Sequence, residues 1–179
     1  MHTTTKLDQL PHHPRYARIF AAGFIATFLM TILLYDGPSV DLPRLDIAAM
    51  IGSFLTGGLP ATWMNPVWWT GMVFHFFDLA ILLPMLYASW VYGWFRGPNL
   101  VRGIAFGIVL WLLSEGVEMP IVGAGFFNDH SAAEGAVVVG LFFAHLLYGC
   151  VLGGLGGQQA ESGPDPEPHA ERTPARHAS

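Results

Sequence analysis

The stretch from Trp68 to Phe95, WWTGMVFHFFDLAILLPMLYASWVYGWF, is almost entirely apolar and contains no lysine or arginine. A helix needs about 20 such residues to cross the hydrocarbon core of a bilayer. The stretch is longer than this minimum, and its only histidine and its only acidic residue are His75 and Asp78. It therefore predicts a transmembrane helix that carries two polar groups inside it.

Three more apolar runs of comparable length lie around this stretch, from Ala17 to Tyr35, from Val101 to Phe126 and from Gly135 to Leu155. The whole chain of 179 residues is 53 % hydrophobic and only 12 % charged. Soluble domains carry charge on about a quarter of their residues, so this chain has too few polar groups to cover a water-facing surface. The sequence predicts an all-α membrane protein, a bundle of four transmembrane helices.

The basic residues predict the orientation, because short cytoplasmic loops carry the excess of Lys and Arg. Of the eight basic residues, Arg44 alone lies on the predicted outer side. The other seven lie before the first run, between the second and third, and in the tail: Lys6, Arg15, Arg18, Arg96, Arg102, Arg172 and Arg176. Both termini are therefore predicted to be cytoplasmic.

The predicted domain organisation has three parts. Residues 1–16 form a cytoplasmic N-terminal segment, 17–157 the membrane domain and 158–179 a cytoplasmic tail. The tail contains four prolines, scattered charges and no aromatic residue. Such a composition cannot bury a core, so the tail is predicted to be disordered.

A short helix is predicted between the first two spans, where apolar residues recur at helical spacing after Pro43: Ile47, Met50, Ile51, Phe54 and Leu55. Asp41 is placed to cap it, and Gly57 with Gly58 to end it. The pattern is typical of an amphipathic helix on the outer membrane interface. A loop helix that simply packs over the bundle is the alternative.

Small residues at spacings of four predict how the spans pack, since helices in lipid associate by close backbone approach. The third span has Gly103 and Gly107, and the fourth has Gly149, Gly153 and Gly157. We interpret these glycines as packing positions within the bundle.

Five acidic or histidine side chains inside the predicted spans form the candidate site: His75, Asp78, Glu115, Glu118 and His145. His75 and Asp78 are three residues apart, as are Glu115 and Glu118, so each pair lies on one helix face. The rise of a helix places all five side chains roughly 12 to 18 Å from the outer ends of their spans. One polar layer is expected. The layer contains no Lys or Arg. Its charge must be balanced by a bound cation, by protonation or by a water-filled cleft.

Four interpretations of this layer remain open. All five side chains are candidate ligands of a divalent transition metal. Alternatively, His75 and His145 are axial ligands of a b-type haem, with Gly71 and Gly149 one turn away to leave room for it. A proton or cation relay needs only the acids and histidines. Finally, the five groups form buried hydrogen-bonded pairs with one another and bind no cofactor.

Composition and motifs exclude several classes of function. The net charge of −5 argues against a nucleic-acid partner. No phosphate-binding loop, nucleophile elbow or paired-cysteine motif is present, so no soluble enzyme class is indicated. Asn128, Asp129 and His130 fall in an outer loop, where solvent exposure is expected.

The working hypothesis is a membrane protein whose site, centred on His75 and His145, binds a metal or b haem and serves electron or proton transfer. Its partners would be the lipid bilayer and other membrane subunits or further copies of the chain. The competing hypothesis is a non-catalytic accessory or assembly subunit of a larger membrane complex.

Several short motifs occur in order along the chain: PRLDIAAM from Pro43, LVRG from Leu100, MPIVGAGFF from Met119 and HLLYG from His145. Over about residues 18 to 157 the chain resembles a domain-of-unknown-function family of small bacterial four-helix membrane proteins. The resemblance implies the fold and an address in the bacterial inner membrane, and no activity.

The resemblance also sorts the candidate residues. His75, His145 and Asp46 fall on positions that match the family pattern. Asp78, Glu115 and Glu118 fall where the resemblance implies apolar residues, so the histidine pair is the part of the site it favours.

Overall fold

The computed structural model describes residues 14–91, 97–130 and 133–157, and this part of the chain is helical, without strands. We label its main helices α1 (Pro14–Tyr35), α2 (Ile47–Leu55), α3 (66–91), α4 (99–121) and α5 (Glu134–Gly156). Short 3₁₀ turns occupy Gly37–Val40 and Phe126–Asn128. Helices α1, α3, α4 and α5 are long and apolar enough to cross a membrane, which confirms the predicted four-span fold.

All four spans begin within two residues of the predicted runs, and the first and fourth also end there. The predicted end of the second run at Phe95 lies outside the described residues. The third span differs, since α4 ends at Ile121 and not at Phe126. Gly123 and Gly125 follow with φ values of 88° and 85°, which a right-handed helix cannot accommodate. Glu115 and Glu118 therefore lie nearer the helix end than predicted. Residues 1–13 and 92–96 and the predicted tail 158–179 lie outside the described residues.

The start of α2 corrects the predicted cap. The helix begins at Ile47, and the Asp46 side chain caps it by accepting from the Ala49 N–H at 3.0 Å. Asp41 instead ends the preceding 3₁₀ turn, with a left-handed φ of 59° and an exposed side chain. Both residues are acids before an apolar run, so only the backbone conformation distinguishes them. Gly57 and Gly58 follow the helix with positive φ values, as predicted.

Helix α2 packs directly on the first turns of α3. A Cβ on Gly71 would overlap the Ala48 carbonyl oxygen and lie 2.6 Å from the Gly52 nitrogen. The two helices therefore touch backbone to backbone, with Ile47, Ala48 and Ile51 of α2 buried. These contacts agree with the second interpretation of this helix, a loop helix that packs over the bundle.

The predicted glycine packing is confirmed between α4 and α5. A Cβ on Gly153 would lie 2.6 Å from the Asn99 carbonyl oxygen and 2.8 Å from the Gly103 Cα. Gly149 meets Gly103 and Gly107 in the same way, and the backbone of His145 lies over Gly107. We call this contact line the glycine seam: Gly103, Gly107, Gly149 and Gly153. Helix α5 also packs along α1.

Two prolines widen the spans next to the polar residues. The N–H groups of Leu83 and Met119 bond to carbonyls five residues back, Asp78 and Ser114, so Asp78–Leu82 and Ser114–Glu118 are π-helical turns. Pro84 and Pro120 follow directly. Proline lacks an N–H and clashes with the carbonyl four residues back, and a π turn relieves that clash. The prolines thus explain why the helices stay continuous but widen at Asp78 and at Glu115.

The apolar surface is typical of a protein in lipid. Large apolar side chains are half or more exposed along the spans, among them Phe24, Val73, Trp90 and Leu113. A water-soluble protein would bury such side chains. The core between the helices contains Tyr87, Tyr148 and Leu152, each fully buried. The exposed apolar surface and the four spans indicate a multi-pass membrane protein.

Candidate functional site

A cavity of about 420 Å³ lies among α2, α3, α4 and α5. Its polar lining residues are Asp78, Ser114, Glu118 and His145, and the rest of its wall is apolar. Three of the five predicted site residues thus share one cavity. His75 lies beside this group, whereas Glu115 points elsewhere.

His75 is held between α3 and α1. Its side chain is 2 % exposed, and its Nε2 lies 3.0 Å from the Thr31 hydroxyl. That hydroxyl already donates its single proton to the Thr27 carbonyl at 2.7 Å. Nε2 of His75 therefore donates to Thr31, and in the neutral ring Nδ1 carries the lone pair. The threonines of α1 thus select the tautomer of this histidine.

His145 faces the cavity from α5 and is 7 % exposed. Its Nδ1 lies 2.8 Å from the Leu141 carbonyl, which can only accept, so Nδ1 donates. Nε2 then carries the lone pair of the neutral ring and makes no hydrogen bond to the described residues. His145 and His75 are close enough to interact electrostatically, as the predicted histidine pair requires.

The two cavity carboxyls come from the π turns of different helices. Asp78 is half-buried on α3, and Glu118 is exposed toward the cavity from α4. They interact electrostatically with each other, and Ser114 lies beside Glu118. Asp78 also lies near the Tyr148 hydroxyl, which donates to the Leu79 carbonyl at 2.7 Å. Of the three carboxyls that the sequence predicts in one layer, Asp78 and Glu118 thus lie close to each other.

Glu115 belongs to a different polar pair that the sequence did not reveal. Its side chain is fully buried, and Oε2 accepts from the Asn128 amide at 2.8 Å. Asn128 was expected to be solvated but is only 3 % exposed, because the loop after α4 folds back over the helix end. Its φ of 57° is left-handed, which asparagine tolerates better than most residues. Asp129 and His130 are exposed, as expected.

We expect Asn128→Gly to lower the free energy of unfolding by about 1.5 kcal/mol, because Glu115 would lose its hydrogen-bond donor inside the protein. Glycine keeps the positive φ, so the change isolates the side chain. In a double-mutant cycle, Glu115→Met with Asn128→Gly should cost less than the sum of the single changes. Unfolding in mixed detergent and SDS micelles measures all three variants, and additive effects would contradict the pairing.

The geometry gives no support to the predicted metal site. Among residues 14–91, 97–130 and 133–157, no group of three or more His, Cys, Asp or Glu side chains could hold a metal ion. Glu115 bonds to Asn128 and not to any of the other four candidate site residues. Carboxyl ligands for a metal would therefore be limited to Asp78 and Glu118, which line the cavity, whereas His75 does not line it.

The packing also does not fit a haem between the two histidines. The space predicted over Gly71 is filled by the backbone of Ala48 and Gly52. The space over Gly149 is filled by the backbone of Gly103 and Gly107. Each glycine allows a neighbouring helix to pack against it, so the space beside it cannot hold a planar haem.

A second polar cluster lies at the junction of α1, α2 and α3. Oδ1 of Asp46 accepts from the Tyr35 hydroxyl at 2.5 Å, the Trp68 indole N–H at 2.9 Å and the Ala49 N–H at 3.0 Å. The Arg44 guanidinium lies over the Tyr35 ring, 5.4 Å from its centroid. Asp46 thus ties three helices together. The resemblance pointed to this residue, whereas helical periodicity did not.

The comparisons with known proteins agree with the predicted family. A family profile described as a family of unknown function, DUF6789, matches residues 15–163. Searches of curated proteins and of solved structures gave no significant match. Because the matched region covers most of the 179 residues, the chain belongs to the DUF6789 family of unknown function.

Proposed function

We propose that this multi-pass membrane protein binds a small, largely apolar molecule in the cavity among α2, α3, α4 and α5. The observation that carries the proposal is the cavity itself, about 420 Å³ in volume. His145 is buried in its wall, and its Nε2 has no hydrogen-bond partner among the described residues. Ligand sites are typically mostly apolar cavities with a few convergent polar groups.

The polar groups of the cavity are suited to hold one end of such a molecule. Asp78, Glu118 and Nε2 of His145 converge on it, whereas its apolar lining includes Leu79, Leu113 and Val117. These acids and histidines also support proton exchange with a bound molecule, which is the part of the proton-transfer hypothesis that the geometry favours. We further propose that the protein lies in the bacterial inner membrane, as the family resemblance implies, with both termini in the cytoplasm, as the basic residues predict.

Two neighbouring leucines provide a matched test. Leu113 lines the cavity and is 52 % exposed, whereas Leu112 is 48 % exposed and does not line it. We expect Leu113→Trp to reduce the occupancy of the cavity at least fivefold and Leu112→Trp to leave it unchanged. Native mass spectrometry of protein released from nanodiscs measures the fraction of chains that retain a bound molecule of a few hundred daltons.

The same experiment tests the accessory-subunit hypothesis. If wild type, Leu112→Trp and Leu113→Trp all retain the same molecules to the same extent, binding occurs on the outer surface and the proposal is wrong. If wild type retains none, the cavity is not a ligand site, and a packing role in a larger complex becomes the better hypothesis. Circular dichroism of each variant shows that its helices are intact.

A further inference from the structure

The polar end of the cavity is rich in hydrogen-bond acceptors, namely the two carboxyls and one histidine nitrogen. The N–H of His145 is taken by the Leu141 carbonyl, so only the Nε2 lone pair faces the cavity in the neutral ring. Among the described residues that line the cavity, Ser114 carries a hydroxyl donor, and it lies beside Glu118. Asp78 and Glu118 contribute carboxyl oxygens, which accept when ionised. A molecule that satisfies this end must bring its own N–H or O–H donors.

The charge of this end is also uncompensated within the described residues. In the part of the chain that the structure describes, no Lys or Arg lines the cavity. Arg102 lies twelve residues before Ser114 on α4, which corresponds to about 18 Å of helix. Arg18 donates to the Leu155 carbonyl, and Arg44 lies over the rings of Tyr35 and Trp63. The two histidines and Tyr148 are the other titratable groups beside the carboxyls.

The walls require an apolar body. Phe74, Leu79 and Leu83 line the cavity from α3, and Leu110, Leu113 and Val117 line it from α4. An acidic, acceptor-rich end on an apolar cavity is complementary to a hydrophobic chain or ring that carries a cationic donor group. An anionic amphiphile would instead be repelled by the carboxyls.

We propose that the ligand of this cavity is a lipophilic amine, bound as an ammonium that donates to Asp78, Glu118 and Nε2 of His145. This inference rests on the proposed function and adds the chemical class of the ligand. A primary ammonium has three N–H donors, which matches the three groups that converge on the cavity.

The test compares three probes with the same ten-carbon chain: decylamine, 1-decanol and decanoate. Calorimetric titration into protein in phosphatidylcholine nanodiscs measures binding, and empty nanodiscs give the background of lipid partitioning. We expect decylamine to bind wild type at least tenfold more tightly than decanol, with decanoate weakest. In Asp78→Asn/Glu118→Gln this preference should fall below twofold.

The control replaces two exposed acids away from the cavity, in Asp41→Asn/Asp129→Asn. It removes the same formal charge and should keep the preference for decylamine. The single variants Asp78→Asn and Glu118→Gln are measured beside the double variant, and thermal unfolding shows which of them are folded. A folded single variant with a reduced preference supports the proposal even when the double variant does not fold.

The outcomes separate this inference from the proposed function. If Leu113→Trp weakens all three probes equally and wild type does not prefer the amine, the cavity binds ligands but the ammonium assignment is wrong. If the preference persists in the folded carboxyl variants, the assignment is also wrong. If Leu113→Trp changes no probe, the proposed function itself fails.

Discussion

Gly149→Ala is expected to lower the free energy of unfolding by about 3 kcal/mol, at the upper end of the usual cost of overpacking. The added Cβ would overlap the Gly103 carbonyl oxygen and lie 3.0 Å from the Gly107 Cα. These obstacles are backbone atoms of α4, so no side-chain rotation can relieve the overlap. The helices would have to separate along the glycine seam, where close contact supplies most of the attraction in lipid.

Gly154→Ala is the matched control on the same helix. Among the described residues, no atom beyond its own turn of helix lies within 4 Å of the position where its Cβ would stand. Its free energy of unfolding should be unchanged or rise by up to about 0.5 kcal/mol, because alanine is a better helix former than glycine. Titration with SDS, followed by circular dichroism, measures both variants. Equal stabilities would show that the glycine seam does not hold α4 against α5.

Asp46→Ala is expected to cost a similar amount, about 3 kcal/mol, for a different reason. The change removes the N-cap of α2 and leaves the Tyr35 hydroxyl and the Trp68 indole N–H without their acceptor. A lost cap costs about 1 kcal/mol, and each buried donor left without a partner costs at least as much. The same SDS titration measures the loss.

Two conservative changes identify the cause. Asp46→Asn keeps a side-chain oxygen that can accept the same hydrogen bonds, so most of the stability should return. Asp41→Asn alters the acid that periodicity alone predicts as the cap, and asparagine tolerates its left-handed backbone. It should change the free energy of unfolding by less than about 0.5 kcal/mol. A loss at Asp41 as large as at Asp46 would refute the structural assignment of the cap.

Hydropathy predicted the spans well because the requirement for about 20 apolar residues is a local property of the chain. The end of α4 was misplaced because the run to Phe126 stays apolar after the backbone has turned at Gly123. Composition does not show such a turn. Only the φ values of the two glycines reveal that Phe126 and Asn128 belong to a loop that folds back over Glu115.

The candidate site was predicted in part. The helical rise placed Asp78 and Glu118 at the depth of the histidines, because the distance from the end of a span follows from the number of residues. It also grouped Glu115 with them, although Glu115 pairs with Asn128. The π turn at Ser114–Glu118 changes which way successive side chains point, so the regular helical rule fails there.

The sequence by itself determined the four spans, the short helix after the first, the glycine seam and the presence of histidines and acids inside the membrane. These follow from patterns that are read along one chain segment at a time. Only the tertiary structure decided that α2 fills the space over Gly71, that Thr31 orients His75, and that Asp78, Glu118 and His145 share one cavity. Such contacts depend on how separate helices rotate and tilt against one another, and close packing between helices sets that rotation.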